Sequence, residues 1–140
     1  MEMIRKKSND PRAVCVVILC KNKILLVETA HRPGKLSFPG GWLEEGESPF
    51  AGAVRESMEE VGIALIAKSE PIYVGPSDDG VIVACFLGYG LGKAVPGDDA
   101  IQCVWGEWAQ AIGEEGAFPE YSKKVYENFK KQKVFLFQFP

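Results

Sequence analysis

Residues 41–63 read GWLEEGESPFAGAVRESMEEVGI, a stretch with the signals of a helix at both ends. Ser48 is a favoured residue just before a helix, and Pro49 is favoured at the first helical position. Gly62 is typical of the residue that ends a helix, because glycine adopts the left-handed backbone conformation without strain. The stretch therefore predicts a helix over 49–61.

At about 100° per residue this helix has two chemically different faces. The apolar face predicts the side that packs on the core, and it carries Phe50, Val54, Met58 and Val61. The charged face spans an arc of about 140°, and it carries Arg55, Glu56, Glu59 and Glu60. Its three carboxylates repel one another by roughly 0.2–0.5 kcal/mol per pair, and they crowd the helix end that disfavours negative charge.

The charge pattern alone leaves two interpretations of this acidic face, a solvated surface or a site for a divalent cation. Mg²⁺ prefers hard oxygen ligands and keeps several waters, so a few convergent carboxylates suit it. The residues upstream favour the cation site. Gly40 and Gly41, in a predicted turn, allow close backbone approach and offer carbonyl ligands. Glu47 lies within reach of Arg55, and that ion pair would orient the acids.

The segments on either side of the helix predict an α/β fold. Apolar strand patterns occur at 13–19, 24–28, 63–74, 81–89 and 101–108, with a short extended piece at 36–38. A second amphipathic helix is predicted over 121–131. Strands, helix, strands and helix in this order indicate an α/β/α sandwich with a mixed sheet.

The length of 140 residues predicts a single domain over 1–140, with 1–11 as a flexible tail. The apolar stretch 134–139 predicts an edge strand or a contact in a homodimer. The net charge of −3 argues against a partner of long nucleic acid. The longest apolar run, 13–20, is too short to span a membrane, and the start of the sequence lacks a secretory signal.

The four cysteines form no C-x-x-C pair, and three of them lie in apolar strand patterns. This usage predicts buried, reduced thiols in a cytoplasmic protein, with a zinc site or a disulfide as the alternatives.

A known motif matches residues 41–63 at eight fixed positions. The motif is G-x5-E-x7-R-E-U-x-E-E-x-G-U, with U apolar, and the matching residues are Gly41, Glu47, Arg55, Glu56, Glu59, Glu60, Gly62 and Ile63. The stretch resembles the signature of the Nudix (MutT-like) hydrolases. Ser57 departs from the motif, because a bulkier apolar residue is usual there, and this departure bears on local packing rather than on metal binding.

The resemblance implies a Nudix-type α/β/α sandwich and hydrolysis, with Mg²⁺ or Mn²⁺, of a nucleoside diphosphate linked to another group. The implied metal ligands are oxygen donors, namely Glu56, Glu59, Glu60 and a carbonyl of Gly40 or Gly41. Arg55 and Glu47 would orient these ligands.

The general base varies within the family. We favour Glu56, with Asp99 as an alternative base or a further metal ligand. Gln102 stands where some members carry Glu, and an amide cannot act as a base.

Substrate contacts are predicted from the loop before the glycine pair. Arg32 and Lys35 are candidate phosphate ligands, and solvated loop cations are the alternative. His31 is either a nearby helper or exposed loop. Aromatic residues that could stack on a nucleobase are Trp42, Tyr89, Trp105, Trp108 and Phe118.

The favoured function is a pyrophosphohydrolase that converts a (deoxy)nucleoside triphosphate to the monophosphate and pyrophosphate. The alternatives are hydrolysis of ADP-ribose or another nucleotide sugar, a catalytically idle module that binds a nucleotide or a partner, and an acidic domain without metal.

Overall fold

The structure, a computed structural model, describes residues 9–132. The strands in this range are β1 (Ala13–Cys20), β2 (Lys23–Thr29), β3 (Gly40–Trp42), β4 (Ala64–Ala67), β5 (Tyr73–Pro76), β6 (Ile82–Leu91) and β7 (Ala100–Gly106). The helices are α1 (Pro49–Val61), α2 (Trp108–Ile112) and α3 (Pro119–Lys131). No helix in the described range is long and apolar enough to cross a bilayer.

The strands form one mixed sheet with the order β4-β6-β1-β2-β7, while β3 pairs with β1 and β5 pairs with β6. β1 and β6 are parallel, and the other pairs are antiparallel. Alternate residues of β1 enter two separate cores. Val14 and Val16 pack on the α1 side, whereas Cys15 and Val17 pack on the side of α2 and α3. The predicted α/β/α sandwich with a mixed sheet is therefore confirmed.

Helix α1 begins and ends where the sequence predicts. The Ser48 hydroxyl accepts a hydrogen bond from the Ala51 amide at 3.2 Å. Gly62 has φ of 69°, and its amide donates to the Met58 carbonyl. Both signals are local, so they act whatever the helix packs against.

The predicted core face of α1 is wrong at two of its four positions, because Val54 and Met58 are exposed. The helix instead turns small and acidic residues inward, namely Gly52, Ala53, Glu56, Ser57, Glu60 and Val61. A Cβ on Gly52 would lie 2.4 Å from the Leu43 side chain, so this face approaches its neighbours closely. Apolar character alone therefore identified two of the core residues, since Val61 is buried and Phe50 packs against the core, but it missed the inward acids.

The predicted strand over 63–74 is two strands, β4 and β5, with residues 68–72 between them. Pro71 lies in this gap and cannot donate a ladder hydrogen bond. The predicted turn at Gly40–Gly41 is the strand β3, which is paired to β1. Trp108 belongs to α2 rather than to the preceding strand, because the Glu107 amide donates to the Gln110 side chain and starts a helix there.

Cys20 is exposed, contrary to the expectation of buried thiols, because it lies at the turn end of β1. All four cysteines are free. The predicted edge strand or dimer contact at 134–139 lies outside the described residues, as does most of the predicted tail 1–11.

Candidate active site

A cleft of about 600 Å³ opens beside α1. Its walls come from β1, β3, α1, the end of β2, the starts of β6 and α3, and the loops at 30–38, 77–81 and 98–99. The cleft is large enough for a small-molecule ligand.

Three carboxylates meet beside this cleft, and two of them, Glu56 and Asp98, are part of its lining. Oxygen atoms of Glu56, Glu59 and Asp98 lie within 4.8 Å of one another. Glu56 and Glu59 share a face of α1, whereas Asp98 comes from the loop before β7. Asp98 was not predicted, since the sequence interpretation chose its neighbour Asp99.

Gly97 brings this loop against the end of α1. Its amide donates to the Glu60 carbonyl at 2.8 Å, and a Cβ there would lie 2.2 Å from the Glu59 carbonyl oxygen. Asp98 follows with φ of 47°, in the left-handed region. Asp98 could have been recognised in the sequence from the glycine before it, because Gly97 permits a close approach to a neighbouring segment and the acid follows directly.

Glu60 is buried behind the cluster, and its carboxylate accepts a hydrogen bond from the Gly40 amide at 2.9 Å. Burial raises the pKa of Glu60 to about 7, despite this hydrogen bond, and the charges of Asp99 and Glu56 act in the same direction. Burial likewise raises the pKa of Glu56, although Arg55 opposes the shift. Burial therefore favours the neutral forms of Glu56 and Glu60.

Arg55 joins the acids into one network. Its guanidinium donates to both carboxylate oxygens of Glu47, with Nε–Oε2 at 2.7 Å and Nη2–Oε1 at 2.9 Å. The Nη1 atom reaches Glu56 at 2.8 Å and Glu59 at 3.0 Å, and Nη2 donates to the Trp42 carbonyl at 3.0 Å. The predicted ion pair with Glu47 is therefore present.

The two charges of this ion pair hold each other ionised. Hydrogen bonds from Arg55 lower the pKa of Glu47 to about 2, and those to Glu47 raise the pKa of Arg55. Because both groups keep their charges at neutral pH, the guanidinium stays in place between Glu56 and Glu59.

The glycine pair lies directly against the acids. A Cβ on Gly41 would lie 2.6 Å from the Glu56 carboxylate, and a Cβ on Gly40 would lie 2.1 Å from the Val14 carbonyl oxygen. A larger residue at Gly40 would require a shift of the strand, and one at Gly41 would displace the Glu56 carboxylate. This close approach, with a donor set made only of oxygen atoms, fits a hard divalent cation.

Of the predicted phosphate ligands, Arg32 lines the cleft. Its guanidinium lies 4.4 Å from the centre of the Phe118 ring, and Nη2 is 3.3 Å from Asp79 Oδ2. Lys35 donates to the Glu114 carbonyl at 2.6 Å and does not line the cleft.

His31 and Asp99 both line the cleft and form a pair, with Nε2–Oδ2 at 3.0 Å. Gln102 contacts Glu28 on the neighbouring strand.

Two of the five candidate aromatic residues, Trp42 and Phe118, line the cleft. Trp108 instead packs in the core on the side of α2 and α3, against Phe38 and Phe129. Tyr89 and Trp105 lie outside the lining of the cleft, so position in the fold reduces the candidates for base stacking to two.

Comparisons with known proteins identify the family. A model of the NUDIX domain family matches residues 9–129. The chain belongs to the Nudix family, and the predicted class, a Nudix-type hydrolase, is confirmed.

One curated relative and two solved structures are similar to this chain. The 8-oxo-dGTP diphosphatase of Escherichia coli (strain K12) is 59% identical over 34 residues, which are 24% of this chain and 26% of that protein. The match therefore spans about a quarter of the relative's length. The crystal structure of an ADP-ribose pyrophosphatase from Streptococcus suis matches with a TM-score of 0.70 at 18% identity, covering 86% of this chain and 90% of the other. A Caenorhabditis elegans Ap4A hydrolase matches with a TM-score of 0.69 at 21% identity, covering 91% of this chain and 99% of the other. At these identities the structural matches establish the fold alone.

Proposed function

We propose that this protein is a Mg²⁺-dependent pyrophosphohydrolase that converts a (deoxy)nucleoside triphosphate to the monophosphate and pyrophosphate. Mn²⁺ would serve as a substitute. The observation that carries the proposal is the cluster of Glu56, Glu59 and Asp98 oxygens, since Glu56 and Asp98 also line a ligand-sized cleft. The short but close match to an 8-oxo-dGTP diphosphatase supports a triphosphate substrate.

The metal ligands in this proposal are Glu56, Glu59, Asp98 and a carbonyl of Gly40 or Gly41, with Glu60 buried behind them and Asp99 as a further candidate ligand in the cleft lining. When bound, the cation would polarise the phosphoryl oxygens and lower the pKa of a water. Arg55 would hold the Glu56 and Glu59 carboxylates in place, and Glu47 would hold Arg55. Their mutual hydrogen bonds support these positioning roles.

Glu56 is the proposed general base, and Asp99 is the alternative. A water oxygen would bond to phosphorus in line with the leaving oxygen, while the Glu56 carboxylate takes the water's proton and the P–O bond to pyrophosphate breaks. Burial raises the pKa of Glu56, which makes this carboxylate a better proton acceptor than an exposed one.

Arg32, Trp42 and Phe118 are the proposed substrate contacts. All three line the cleft together with the acids. The rings offer stacking surfaces for a base, and Arg32 offers the positive charge that a triphosphate needs in an acidic protein. Lys35 is a weaker candidate, since its ammonium is bonded to a carbonyl elsewhere.

A nucleotide-sugar pyrophosphatase is the second candidate function. The fold matches an ADP-ribose pyrophosphatase over 86% of this chain. The two candidates differ in product: pyrophosphate from a triphosphate, but two monophosphates from ADP-ribose.

A hydrolysis screen with product identification tests both functions. The substrates are nucleoside triphosphates, 8-oxo-dGTP, ADP-ribose and dinucleoside polyphosphates, each with Mg²⁺, with Mn²⁺ and with EDTA. Glu59→Gln should lose activity, whereas Glu127→Gln, an exposed acid on α3, should keep it. Binding without turnover for every substrate would instead indicate a catalytically idle nucleotide-binding module.

We also propose a cytoplasmic location. The support is the set of four free cysteines, which suits a reducing compartment.

A further inference from the structure

Helix α3 covers only part of its side of the sheet. Its last residue is Lys131, and the next residue, Gln132, lines a small groove together with Ile72 and Leu87. β6 continues four residues beyond Leu87, to Leu91. The far end of β6 therefore extends past the end of the helix.

The sheet beyond Leu87 presents an apolar surface on this same side. Leu87 belongs to the core under α3, and alternate residues of a strand share a face, so Tyr89 and Leu91 point to that side. Ile66 of β4 is paired with Tyr89 and shares its face. Ile66 is 40% exposed and Leu91 is 64% exposed. We refer to Ile66, Tyr89 and Leu91 as the distal sheet face.

The sequence that follows Gln132 is strongly apolar. Residues 133–139 read KVFLFQF and lie outside the described residues. From Leu87 to Leu91 the strand advances about 13 Å. Seven residues can span up to about 23 Å, so the segment has ample length to reach the whole distal sheet face.

We propose that residues 134–139 dock on the distal sheet face of the same chain. Two observations carry this assignment: the described chain leaves α3 beside Leu87, and the surface next in its path is apolar and exposed. Docking would cover Ile66 and Leu91, and it would also protect a segment that is prone to aggregate when bare. The proposal is independent of the proposed catalytic function.

A double-mutant cycle in the full-length protein tests the docking. One variant replaces every apolar residue of the segment with serine, at Val134, Phe135, Leu136, Phe137 and Phe139. The second change is Ile66→Thr. Its matched control is Val74→Thr, on a neighbouring edge strand, where the valine has a similar exposed fraction of 42%. Val74 lies on the opposite face of the sheet, because it pairs with Ala84 of the core on the α1 side.

We expect the serine variant to lower the melting temperature by about 5 °C or more. Ile66→Thr should lower the melting temperature of the unsubstituted protein but not lower that of the serine variant any further, because the contact is already lost. Val74→Thr should change the melting temperature by the same amount in the unsubstituted protein and in the serine variant. Simple additivity of Ile66→Thr with the serine variant would overturn the proposal.

Nuclear Overhauser effects in the unsubstituted protein give a second test that does not depend on a variant's folding. Contacts from phenylalanine rings of the segment to the methyl groups of Ile66 or Leu91 are expected, at an intensity that does not change with dilution. Absence of these contacts would contradict the docking. Contacts that disappear on dilution, together with a fall in sedimentation coefficient, would assign the surface to a second copy of the chain instead.

Discussion

Helices α1 and α3 both have thirteen residues and lie on opposite sides of the same sheet, yet only α1 buries charged side chains. α3 follows the usual amphipathic pattern, because Tyr121 and Val125 are buried and its charged side chains are exposed to solvent. α1 buries the carboxyl groups of Glu56 and Glu60 and exposes Met58.

The comparison distinguishes burial that stabilises the fold, in α3, from burial that builds a site, in α1. In α3 the buried Tyr121 and Val125 fill a core, so hydrophobic pattern and structure agree there, although Tyr121 and Ser122 also line the cleft. In α1 the inward acids cost stability, since burial raises the pKa of both and favours their neutral forms. A helix that violates the pattern in this way marks the functional side of the molecule.

The largest effect is expected at an acid of α1. Glu56→Gln should lower kcat by about 100-fold or more, because it removes both the proposed base and a metal ligand. Its melting temperature in EDTA should not fall. Steady-state kinetics with Mg²⁺ and a thermal melt measure the two quantities. A variant with full activity would contradict the assigned role of the inward acids.

Truncating one valine on each helix tests which face of that helix packs in a core. Val125→Ala on α3 should lower the free energy of unfolding by about 2 kcal/mol, because it leaves a cavity in the core. Val54→Ala on the exposed side of α1 should change it by less than about 0.5 kcal/mol. Urea unfolding measures both. Equal losses would show that Val54 packs in a core after all.

A pH-dependent effect is expected for Glu60→Gln in metal-free protein. The folded pKa of Glu60, about 7, lies above the ordinary value of 4.5. The unfolded carboxyl therefore ionises first, and wild-type stability falls as pH rises from 4.5 to 7.

Glu60→Gln removes this loss, since its amide oxygen can still accept from the Gly40 amide. The variant should be more stable than the wild type by about 1–3 kcal/mol at pH 8 and equal to it at pH 4. Urea unfolding in EDTA at both pH values measures the gain. A gain of the same size at both pH values would contradict the buried-charge explanation.

The smallest effects concern how each helix begins. α1 is capped by its own Ser48, whereas α3 is capped by a distant loop, with Asp78 accepting from the Glu120 amide at 3.1 Å and the Tyr121 amide at 2.9 Å. Ser48→Ala and Asp78→Ala should each lower stability by about 1 kcal/mol. Chemical denaturation measures both, with the exposed Ser69→Ala as control. An unchanged free energy of unfolding in Asp78→Ala would show that the cap from this loop does not stabilise α3.

Much of this protein could be predicted from its sequence because the deciding signals are local. Ser48, Pro49 and Gly62 act on their own backbone, so the bounds of α1 were predicted correctly. The spacing from Glu47 to Arg55 likewise predicted an ion pair that the structure contains. Apolar strand patterns were enough for the mixed sheet between helices.

Other features required the packed structure. The sequence predicted Phe50, Val54, Met58 and Val61 on the core face of α1. It was wrong for Val54 and Met58, because a helical wheel counts apolar side chains and does not register close approach. The loop acid Asp98 and the position of Lys35 away from the cleft also depended on the tertiary fold.

By itself, the sequence determined which helix carries the acids, where it starts and stops, and the family to which the chain belongs, since these follow from residue type and spacing. Only the tertiary structure decided which side of that helix faces inward and which distant residues complete the site. The physical reason is that Gly41, Gly52 and Gly97 permit contacts between segments far apart in the chain, and such contacts leave no periodic pattern in the sequence.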